Sequence, residues 1–316
     1  MDWRGCGAGT ESLVRRSTAI SKVPRGGERR LSKVLSRVVV CIVMVSLSPF
    51  PKEASAEKKL LFGIVPQQAA SRLAKMWDPF INRLSKETGL NITFATMKDI
   101  PTFEECLAQG AYDLSYMNPY HYTIYSEKVG YRAFARQADK KLQGIVVTRI
   151  DSFARELSDL QGKKIAFPSP AAFGASVLPR AEMRSQGIHI EPAYVKSHDS
   201  VYRSVVAGFY PAGGGVQRTF NSIPEELKSQ LRIIYRTKRY TPHAFAASSN
   251  LDPEKTAAVL KGMITIARTD PELLDAIGMK GFEAASDHDW DDVRGLGLSQ
   301  SQTQIVQRGS AICRFD

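Results

Sequence analysis

A strand and a helix meet in the stretch LSYMNPYHY, residues 114–122. Its first four residues have the length and apolar character of a buried strand. Asn118 is a favoured N-cap and Pro119 suits the first helical position, so the helix begins directly after the strand. The first N–H groups of a helix have no acceptor within it and can bind an anion. The stretch therefore predicts a strand–helix junction that serves as an anion site.

Strands and helices alternate on both sides of this junction. The apolar run at residues 60–65 predicts a strand, and the helix after it has an amphipathic stripe and ends at Gly89. The stripe consists of Leu73, Trp77, Phe80, Ile81 and Leu84. Thr102 and Glu105 match a capping box for the next helix. Such alternation is typical of α/β lobes with largely parallel sheets, and 316 residues suit two of them.

The chain is predicted to divide into a leader, two lobes and a tail. The first lobe is expected at residues 57–148 and 241–298, and the second lobe at residues 149–240. The apolar run at 232–235 is interpreted as a strand that returns to the first lobe. Residues 299–316 are predicted to form a polar, poorly ordered C-terminal tail.

Residues 1–56 have the composition of a signal peptide. They hold ten Lys or Arg against four Asp or Glu, and an apolar run at 38–47 precedes the small-residue motif Ala54-Ser55-Ala56. Because that run is too short to span a bilayer, we predict export to the periplasm with cleavage after Ala56; an uncleaved anchor is the alternative. Without the leader the formal net charge falls from +11 to +5, so the basic composition gives little support to a nucleic-acid partner.

Few residues are arranged for catalysis or for metal binding. The two cysteines after the leader, Cys106 and Cys313, lie far apart in sequence; we favour unpaired cysteines, with a single long-range disulfide as the alternative, and we expect no metal site. The glycine run at 213–215 lacks the pattern of a P-loop and is interpreted as a place of close backbone approach. No G-x-S-x-G motif occurs, and residues 287–289 are interpreted as a solvated turn. We predict no catalysis and no cofactor.

Ligands of parallel α/β sheets collect at the carboxyl ends of strands, where helices begin. That rule selects residues 66–71, 116–122, 169–176 and 197–202. Small residues in the third segment leave main-chain N–H groups open to a ligand, and His198 follows a strand as a donor to an anionic oxygen. The candidate ligand-binding residues are Gln67, Tyr116, Asn118, Tyr120, Tyr122, Ser169, Ala172, Phe173, Gly174, Ala175, Ser176, His198 and Tyr202. For each of them the alternative is a purely structural role.

Several short motifs occur in the order found in one protein family. They are FGIVP at 62–66, GAYDLSYMNP at 110–119, LQGKKIAF at 160–167, Pro179-Arg180, HDSV at 198–201 and VAG at 206–208. Between Leu61 and Leu298 the chain thus resembles the phosphate-, phosphite- and phosphonate-binding proteins of ABC importers, which have the type II periplasmic binding fold. The resemblance implies two α/β lobes that close about a hinge over a small anion, and delivery to a membrane permease. It also implies pocket positions at the helix start after Asn118, at Tyr122, at the turn 172–175 and at His198.

The chain departs from that family in two places. Where phosphonate binders usually have a Ser-x-Ser-Gly turn, it has Ala172-Phe173-Gly174-Ala175, which keeps the backbone donors and loses the hydroxyls. Where aminophosphonate binders place an acid for the amine of the ligand, it has Tyr210-Pro211-Ala212. We therefore expect a small oxyanion such as a phosphonate or phosphite, with phosphate or a solute without phosphorus as alternatives, and we do not expect an aminoethyl ligand.

Three functions are compatible with these features. We favour a monomeric periplasmic solute-binding protein of an ABC importer, whose partners are a small anion and an inner-membrane permease, with no nucleic acid. The alternative is a periplasmic sensory protein that presents its ligand to a membrane receptor or kinase. A third is a secreted phosphoester hydrolase that depends on His198.

Overall fold

The computed structural model describes residues 58–315, and the predicted signal peptide at residues 1–56 lies outside them. The strands are β1 (Leu60–Ile64), β2 (Ile92–Ala95), β3 (Leu114–Met117), β4 (Arg132–Gln137), β5 (Leu142–Arg149), β6 (Lys164–Phe167), β7 (Glu191–Tyr194), β8 (Ala212–Val216), β9 (Leu231–Tyr240), β10 (Ala244–Ala247) and β11 (Phe282–Ala284). The helices are α1 (Ala70–Thr88), α2 (Ile100–Ala108), α3 (Pro119–Lys128), α4 (Leu178–Ser185), α5 (His198–Val206), α6 (Gln217–Asn221), α7 (Glu225–Lys228), α8 (Pro253–Thr269), α9 (Pro271–Ala276), α10 (Asp291–Arg294) and α11 (Gln300–Thr303). None of these helices is both long enough and apolar enough to cross a membrane.

The first lobe is built on a six-stranded sheet with the order β11-β4-β10-β3-β1-β2. Strands β2, β1 and β3 run parallel, and β10 pairs antiparallel with β3 and β4. Aromatic side chains fill the layer between this sheet and α1, where Trp77 lies 6.4 Å from Phe245 and 6.1 Å from Phe80, measured between ring centroids. The carboxyl ends of β1 and β3 therefore face the same edge of the lobe.

The second lobe is built on a five-stranded sheet with the order β7-β6-β8-β5-β9. Strands β7, β6 and β8 run parallel, whereas β5 pairs antiparallel with β8 and β9. Helix α5 packs on β8 and β5 and covers one face with Val201, Tyr202 and Val205, which are all buried. The predicted alternation of strands and helices is thus present in both lobes.

The chain crosses between the two sheets twice, at residues 138–141 and at residues 241–243. The structure differs here from the predicted bounds, because residues 144–148 belong to the second sheet. Residues 232–235 lie in the second lobe, within its predicted bounds, but they do not form a strand that returns to the first sheet. Strand β5 lies between β8 and β9, and this central position buries its continuous apolar run. The second lobe consequently begins at β5, a few residues earlier than the sequence suggests.

Local signals place the helices of the first lobe. The five stripe residues of α1 are buried, and Gly89 ends the helix with a φ of 69°. Asn118 caps α3 as predicted, because its Oδ1 accepts the N–H three residues ahead at 2.8 Å. Helix α2 differs from the prediction, since Asp99 and not Thr102 is its N-cap. Asp99 Oδ1 accepts the Thr102 N–H at 2.9 Å, so the helix begins at Ile100.

The C-terminal segment packs against the first lobe, whereas its polar composition predicts poor order. Tyr125 donates its hydroxyl to the carbonyl of Val306 at 2.7 Å. Glu105 accepts the N–H of Ala311 at 2.6 Å. These contacts use main-chain groups of the segment, which is why the side-chain composition did not reveal them.

A disulfide joins Cys106 of α2 to Cys313, with 5.7 Å between the two Cα atoms. The expectation that these cysteines do not pair is therefore wrong. They are 207 residues apart in sequence, but the C-terminal segment returns to α2 and brings them together. A disulfide also suits a protein of an oxidising compartment.

We expect a non-reducing digest of the exported protein to contain one linked peptide pair that holds Cys106 and Cys313. Replacing Cys313 by Ser should lower the free energy of unfolding by about 2–4 kcal/mol, because the unfolded chain is then free of the cross-link. Denaturant unfolding of both proteins measures this difference. Recovery of both cysteines as free thiols from the oxidised wild type would contradict the assignment.

Candidate functional site

The candidate site is a cavity of about 10 Å³ that lies between the lobes, at the carboxyl ends of the parallel strands. Its lining comes from the loop after β1, the starts of α2, α3, α5 and β5, the turn after β6, the end of β8 and the crossing at residues 241–243. The lining residues are Val65, Gln67, Ile100, Asn118, Leu142, Ala172, Phe173, Gly174, Ala175, His198, Val216 and His243. A second cavity of about 40 Å³ shares Leu142, Val216 and His243 with the first and adds Tyr116, Lys140, Lys141 and Arg218.

The turn after β6 presents three main-chain donors to this cavity. Residues Phe173–Val177 form one π-helical turn that continues directly into α4. In the first hydrogen bonds of this turn, the N–H groups of Ser176 and Val177 donate to the carbonyl of Ala172. The N–H groups of residues 173–175 precede them and have no acceptor within the helix. They form the positive end of the helical segment, where an anion is stabilised.

Glycines in the neighbouring strands make room for this turn. The carbonyl of Gly174 lies where a Cβ on Gly144 of β5 would be, and the carbonyl of Ala175 lies where a Cβ on Gly214 of β8 would be. Any side chain at either strand position would push the turn away from the sheet. The close backbone approach predicted for residues 213–215 is therefore confirmed at Gly214, and it fixes how near the turn lies to the sheet.

His198 is held in place by a chain of hydroxyl groups. Its Nδ1 lies 3.0 Å from Thr219 Oγ1, which in turn lies 2.9 Å from the hydroxyl of Tyr202. The Thr219 proton can go to His198 or to the carbonyl of Val216 at 3.1 Å. When it goes to His198, the imidazole carries its own proton on Nε2 and can donate it to an oxyanion.

Burial keeps two imidazoles of the site neutral. It lowers the pKa of His198 to about 3, and the charge of Arg218 acts in the same direction. The pKa of His243 is lowered well below its usual value by burial and, to a smaller extent, by Arg218. A neutral histidine donates one hydrogen bond without adding charge, so the positive charge of this region comes from Arg218 and the lysines.

Hydrogen bonds join the lobes around the cavity. The N–H of His198 donates to the carbonyl of Gln67 at 2.9 Å, and Asn118 Nδ2 donates to the carbonyl of Ala171 at 3.3 Å. Arg218 donates to Gln67 Oε1 across the same gap. The site residues thus make the interlobe contacts themselves, so that a ligand among them can bridge the lobes.

The structure brings most of the predicted site residues together. Gln67, Asn118, Ala172, Phe173, Gly174, Ala175 and His198 line the first cavity, and Tyr116 lines the second. Tyr202 lies behind His198 and positions it through Thr219. Ser169 and Ser176 are buried outside the lining, and Arg180 Nε donates to Ser176 Oγ at 3.1 Å.

Two predicted tyrosines lie elsewhere. The hydroxyl of Tyr120 bonds to Thr303 Oγ1 at 2.8 Å, and the hydroxyl of Tyr122 donates to Asp287 at 2.6 Å. Both rings therefore hold the C-terminal part of the first lobe, and neither faces the cleft. The helix α3 that carries them is buried on every side from Pro119 to Ser126, so no polar face indicated which residues point to the ligand.

Sequence reasoning missed Arg218 and His243. The strand that follows α5 is β8, and it ends at Val216. Arg218 therefore occupies the position just after this strand, whereas the sequence prediction placed that position at residues 210–212. His243 directly precedes β10, whose first residue pairs with the last residue of β3. The start of an antiparallel strand shares an edge with the carboxyl ends of its parallel neighbours, and this rule would have found His243.

We expect Gly214→Ala to lower the free energy of unfolding by about 1–3 kcal/mol, because the new methyl group collides with the carbonyl of Ala175 and displaces the turn. Gly281→Ala is the matched control, since its Cβ would meet only Ala138 Cβ at 3.6 Å, an ordinary contact. Urea unfolding of both variants compares them. Equal stability of the two variants would show that the glycine is not needed for the turn.

The two buried histidines also predict how stability depends on pH. Below the ordinary histidine pKa of 6.5 the unfolded chain binds protons that the folded protein does not bind, so stability falls as pH falls from about 6.5 to 5. Each histidine contributes about 1 kcal/mol per pH unit in that window. The double variant His198→Gln, His243→Gln should lose this part of the slope in urea unfolding. His189→Gln, at an exposed position, should keep it, and an unchanged slope in the double variant would refute the assignment.

Comparison with known proteins gives a family match over most of the chain. A family model described as the periplasmic substrate-binding protein of ABC phosphonate transporters matches residues 62–290. The phosphate-import protein PhnD of Mycolicibacterium smegmatis is 22% identical over 261 residues, which cover 70% of this chain and 78% of that protein.

Solved structures show the same fold. A binding component of an ABC phosphonate transporter from Pseudomonas aeruginosa superposes with a TM-score of 0.71 at 14% identity, covering 80% of this chain and 90% of its own. A protein of Prochlorococcus marinus in complex with methylphosphonate gives a TM-score of 0.69 at 17% identity, covering 76% of this chain and 97% of its own. The predicted type II periplasmic binding fold is confirmed by these likenesses.

Proposed function

This chain belongs to the family of periplasmic substrate-binding proteins of ABC phosphonate transporters, and we propose that it captures a small phosphorus oxyanion between its lobes. One observation carries the choice of an anion. Within the described residues, no carboxylate lines either of the two adjoining cavities, whereas Lys140, Lys141 and Arg218 line the second of them. A ligand there meets positive charge and hydrogen-bond donors, and this arrangement favours an anion over a cation.

The phosphoryl head of the ligand would lie at the turn that precedes α4. Residues 173–175 line the first cavity from the second lobe, so their free N–H groups would donate to the phosphoryl oxygens, and His198 Nε2 would add a donor beside them. Asn118 lies across from the turn, at the start of α3 in the first lobe. Two helix starts on opposite lobes would thus share one anion, and the anion would stabilise the closed arrangement.

The size of the cavity supports a capture mechanism that involves opening and closing. A volume of about 10 Å³ holds roughly one water molecule, so a phosphonate enters only when the lobes separate. With the ligand in place the lobes would stay slightly farther apart than they are here. The two hinge segments at 138–141 and 241–243 are the points about which such a motion takes place.

We propose capture without catalysis. Among the described residues that line the first cavity there is no hydroxyl, thiol or amine to act as a nucleophile, and no carboxylate to act as a base. His198 has Thr219 and not a carboxylate as the partner of its Nδ1. A hydrolytic role would need such groups next to the substrate.

We further propose that the protein acts as a monomer after cleavage of its leader behind Ala56. Its partners would be the anion and the membrane permease of the same importer. The disulfide between Cys106 and Cys313 supports maturation in the periplasm, where such bonds form.

The ligand can be identified by thermal shift and calorimetry with phosphate, phosphite, methylphosphonate and sulfate. We expect at least one phosphorus anion to stabilise the protein by about 2.7 kcal/mol when it is present at about 100 times its dissociation constant. Stabilisation by a neutral solute, with every anion silent, would overturn the proposal. So would turnover of a phosphoester that is abolished by replacing His198.

Asn118→Asp tests the position of the anion. An aspartate caps a helix as well as an asparagine does, so α3 should keep its start, but the new negative charge faces the proposed ligand. We expect the affinity for the best anion to fall by at least about tenfold, since like charges at close range are strongly unfavourable. Asn250→Asp makes the same change at an exposed site and should leave affinity unchanged. Equal affinities of the two variants would place the anion elsewhere.

A further inference from the structure

Arg218 is a cation of the cleft that has no acidic partner. Its guanidinium donates to Gln67 Oε1 and, at 3.4 Å, to the carbonyl of Ile277, and it lies 5.8 Å from the ring centroid of Tyr116. Among residues 58–315 it pairs with no carboxylate, although the side chain is half-buried. A guanidinium held by neutral acceptors keeps its full charge available to a ligand.

His243, which also lines the second cavity, carries a buried nitrogen without a hydrogen-bond partner among the described residues. The imidazole is 4% exposed and stacks on Tyr116 with 4.9 Å between ring centroids. Its Nε2 is buried and makes no hydrogen bond within the described part of the chain. A buried polar atom without a partner is costly, which indicates that something else supplies the missing bond.

Arg218 and His243 both line the second cavity. His243 lines both cavities, whereas Arg218 lines only the second, so a ligand that extends from the first cavity passes His243 before it reaches Arg218. The second cavity continues into two grooves of about 580 and 490 Å³, which share Lys140 and Gln217 with it. There is consequently room for a second functional group beyond the phosphoryl head.

The charges along this path favour one kind of group. Arg218, Lys140 and Lys141 line the second cavity without any acid. Asp139 and Asp275 line the adjoining groove of about 580 Å³, to which Arg218 and Lys140 also contribute. Glu283, which lines the other groove, is paired with Arg136 at 3.2 Å. The charged residues that line the second cavity itself are therefore all positive, and they attract an anion and repel an ammonium group.

We propose that Arg218 and His243 select a ligand that carries a second anionic group, such as a phosphonate with a carboxylate one carbon away. This inference rests on the proposed capture of a phosphorus oxyanion and specifies its substrate class. Arg218 would exchange its bond to Gln67 for one or two bonds to the carboxylate, and His243 would donate a further bond. Ligands with an aminoalkyl group are disfavoured at the same place.

The test compares ligands of equal size in calorimetric titrations of the full exported chain. Phosphonoacetate and isobutylphosphonate have the same number of non-hydrogen atoms, and only the first has the carboxylate. We expect phosphonoacetate to bind about tenfold more tightly, the factor expected of one charge-assisted hydrogen bond. We expect 2-aminoethylphosphonate to bind more weakly than either. Equal affinities for the matched pair, or a preference for the amine, would refute the inference.

Variants of Arg218 locate the source of the preference. Arg218→Gln should bring the affinity for phosphonoacetate down to that for isobutylphosphonate, and Arg218→Lys should retain part of the difference. Arg203→Gln removes the same charge from an exposed position of α5 and should leave every affinity unchanged. A preference that survives in Arg218→Gln contradicts the role of this residue. Circular dichroism establishes that each variant is folded, and the wild-type comparison stands independently of the variants.

The two proposals fail in different ways. If methylphosphonate or phosphate binds and the matched pair shows no difference, the selection by Arg218 is wrong and the capture of a phosphorus oxyanion stands. If no phosphorus anion binds the wild-type protein, both proposals are wrong.

Discussion

The contact between the turn at residues 172–177 and the glycines of the second sheet is the constraint on which the site depends. Gly144 and Gly214 have no side chains, so the carbonyls of Gly174 and Ala175 approach the sheet closely. The same turn lines the cavity between the lobes with Ala172, Phe173, Gly174 and Ala175. Because the donors of this turn belong to the main chain, the site keeps its hydrogen-bonding capacity even though the turn contains no serine or threonine at positions 172–175.

Within the cleft the two buried histidines are neutral, and Arg218 carries a positive charge. His198 and His243 are buried near each other and near Arg218, and the low pKa of each avoids two further positive charges beside that guanidinium. Arg218 is oriented by Gln67 from the opposite lobe. The orientation of this guanidinium thus depends on closure, because Gln67, which accepts its hydrogen bond, belongs to the other lobe.

Much of the fold could be predicted from the sequence, because periodicity and caps are local. The apolar stripe of α1 and the cap at Asn118 are examples. The rule that ligands collect at the carboxyl ends of parallel strands correctly selected His198 and the turn at 172–175 as cavity-lining residues. Tyr120 and Tyr122 were wrongly assigned to the ligand site because α3 is buried on every side, so its sequence does not indicate which side chains face the cleft. Arg218 was missed because the boundaries of the glycine strand β8 were not recognised. The C-terminal segment was misjudged because several of its contacts use main-chain groups, and its side-chain contacts join residues far apart in sequence.

The disulfide of the first lobe has a topological consequence for the whole molecule. Cys106 precedes the first hinge segment and Cys313 follows the second, so the cross-link closes a ring that contains the entire second lobe and both crossings. Both sulfur atoms belong to the first lobe, and the bond therefore places no tether across the cleft. A protease that cut one hinge segment would leave the two lobes in a single covalent molecule. The ring thus keeps the two lobes covalently joined after a single cut at a crossing, while leaving their relative motion free.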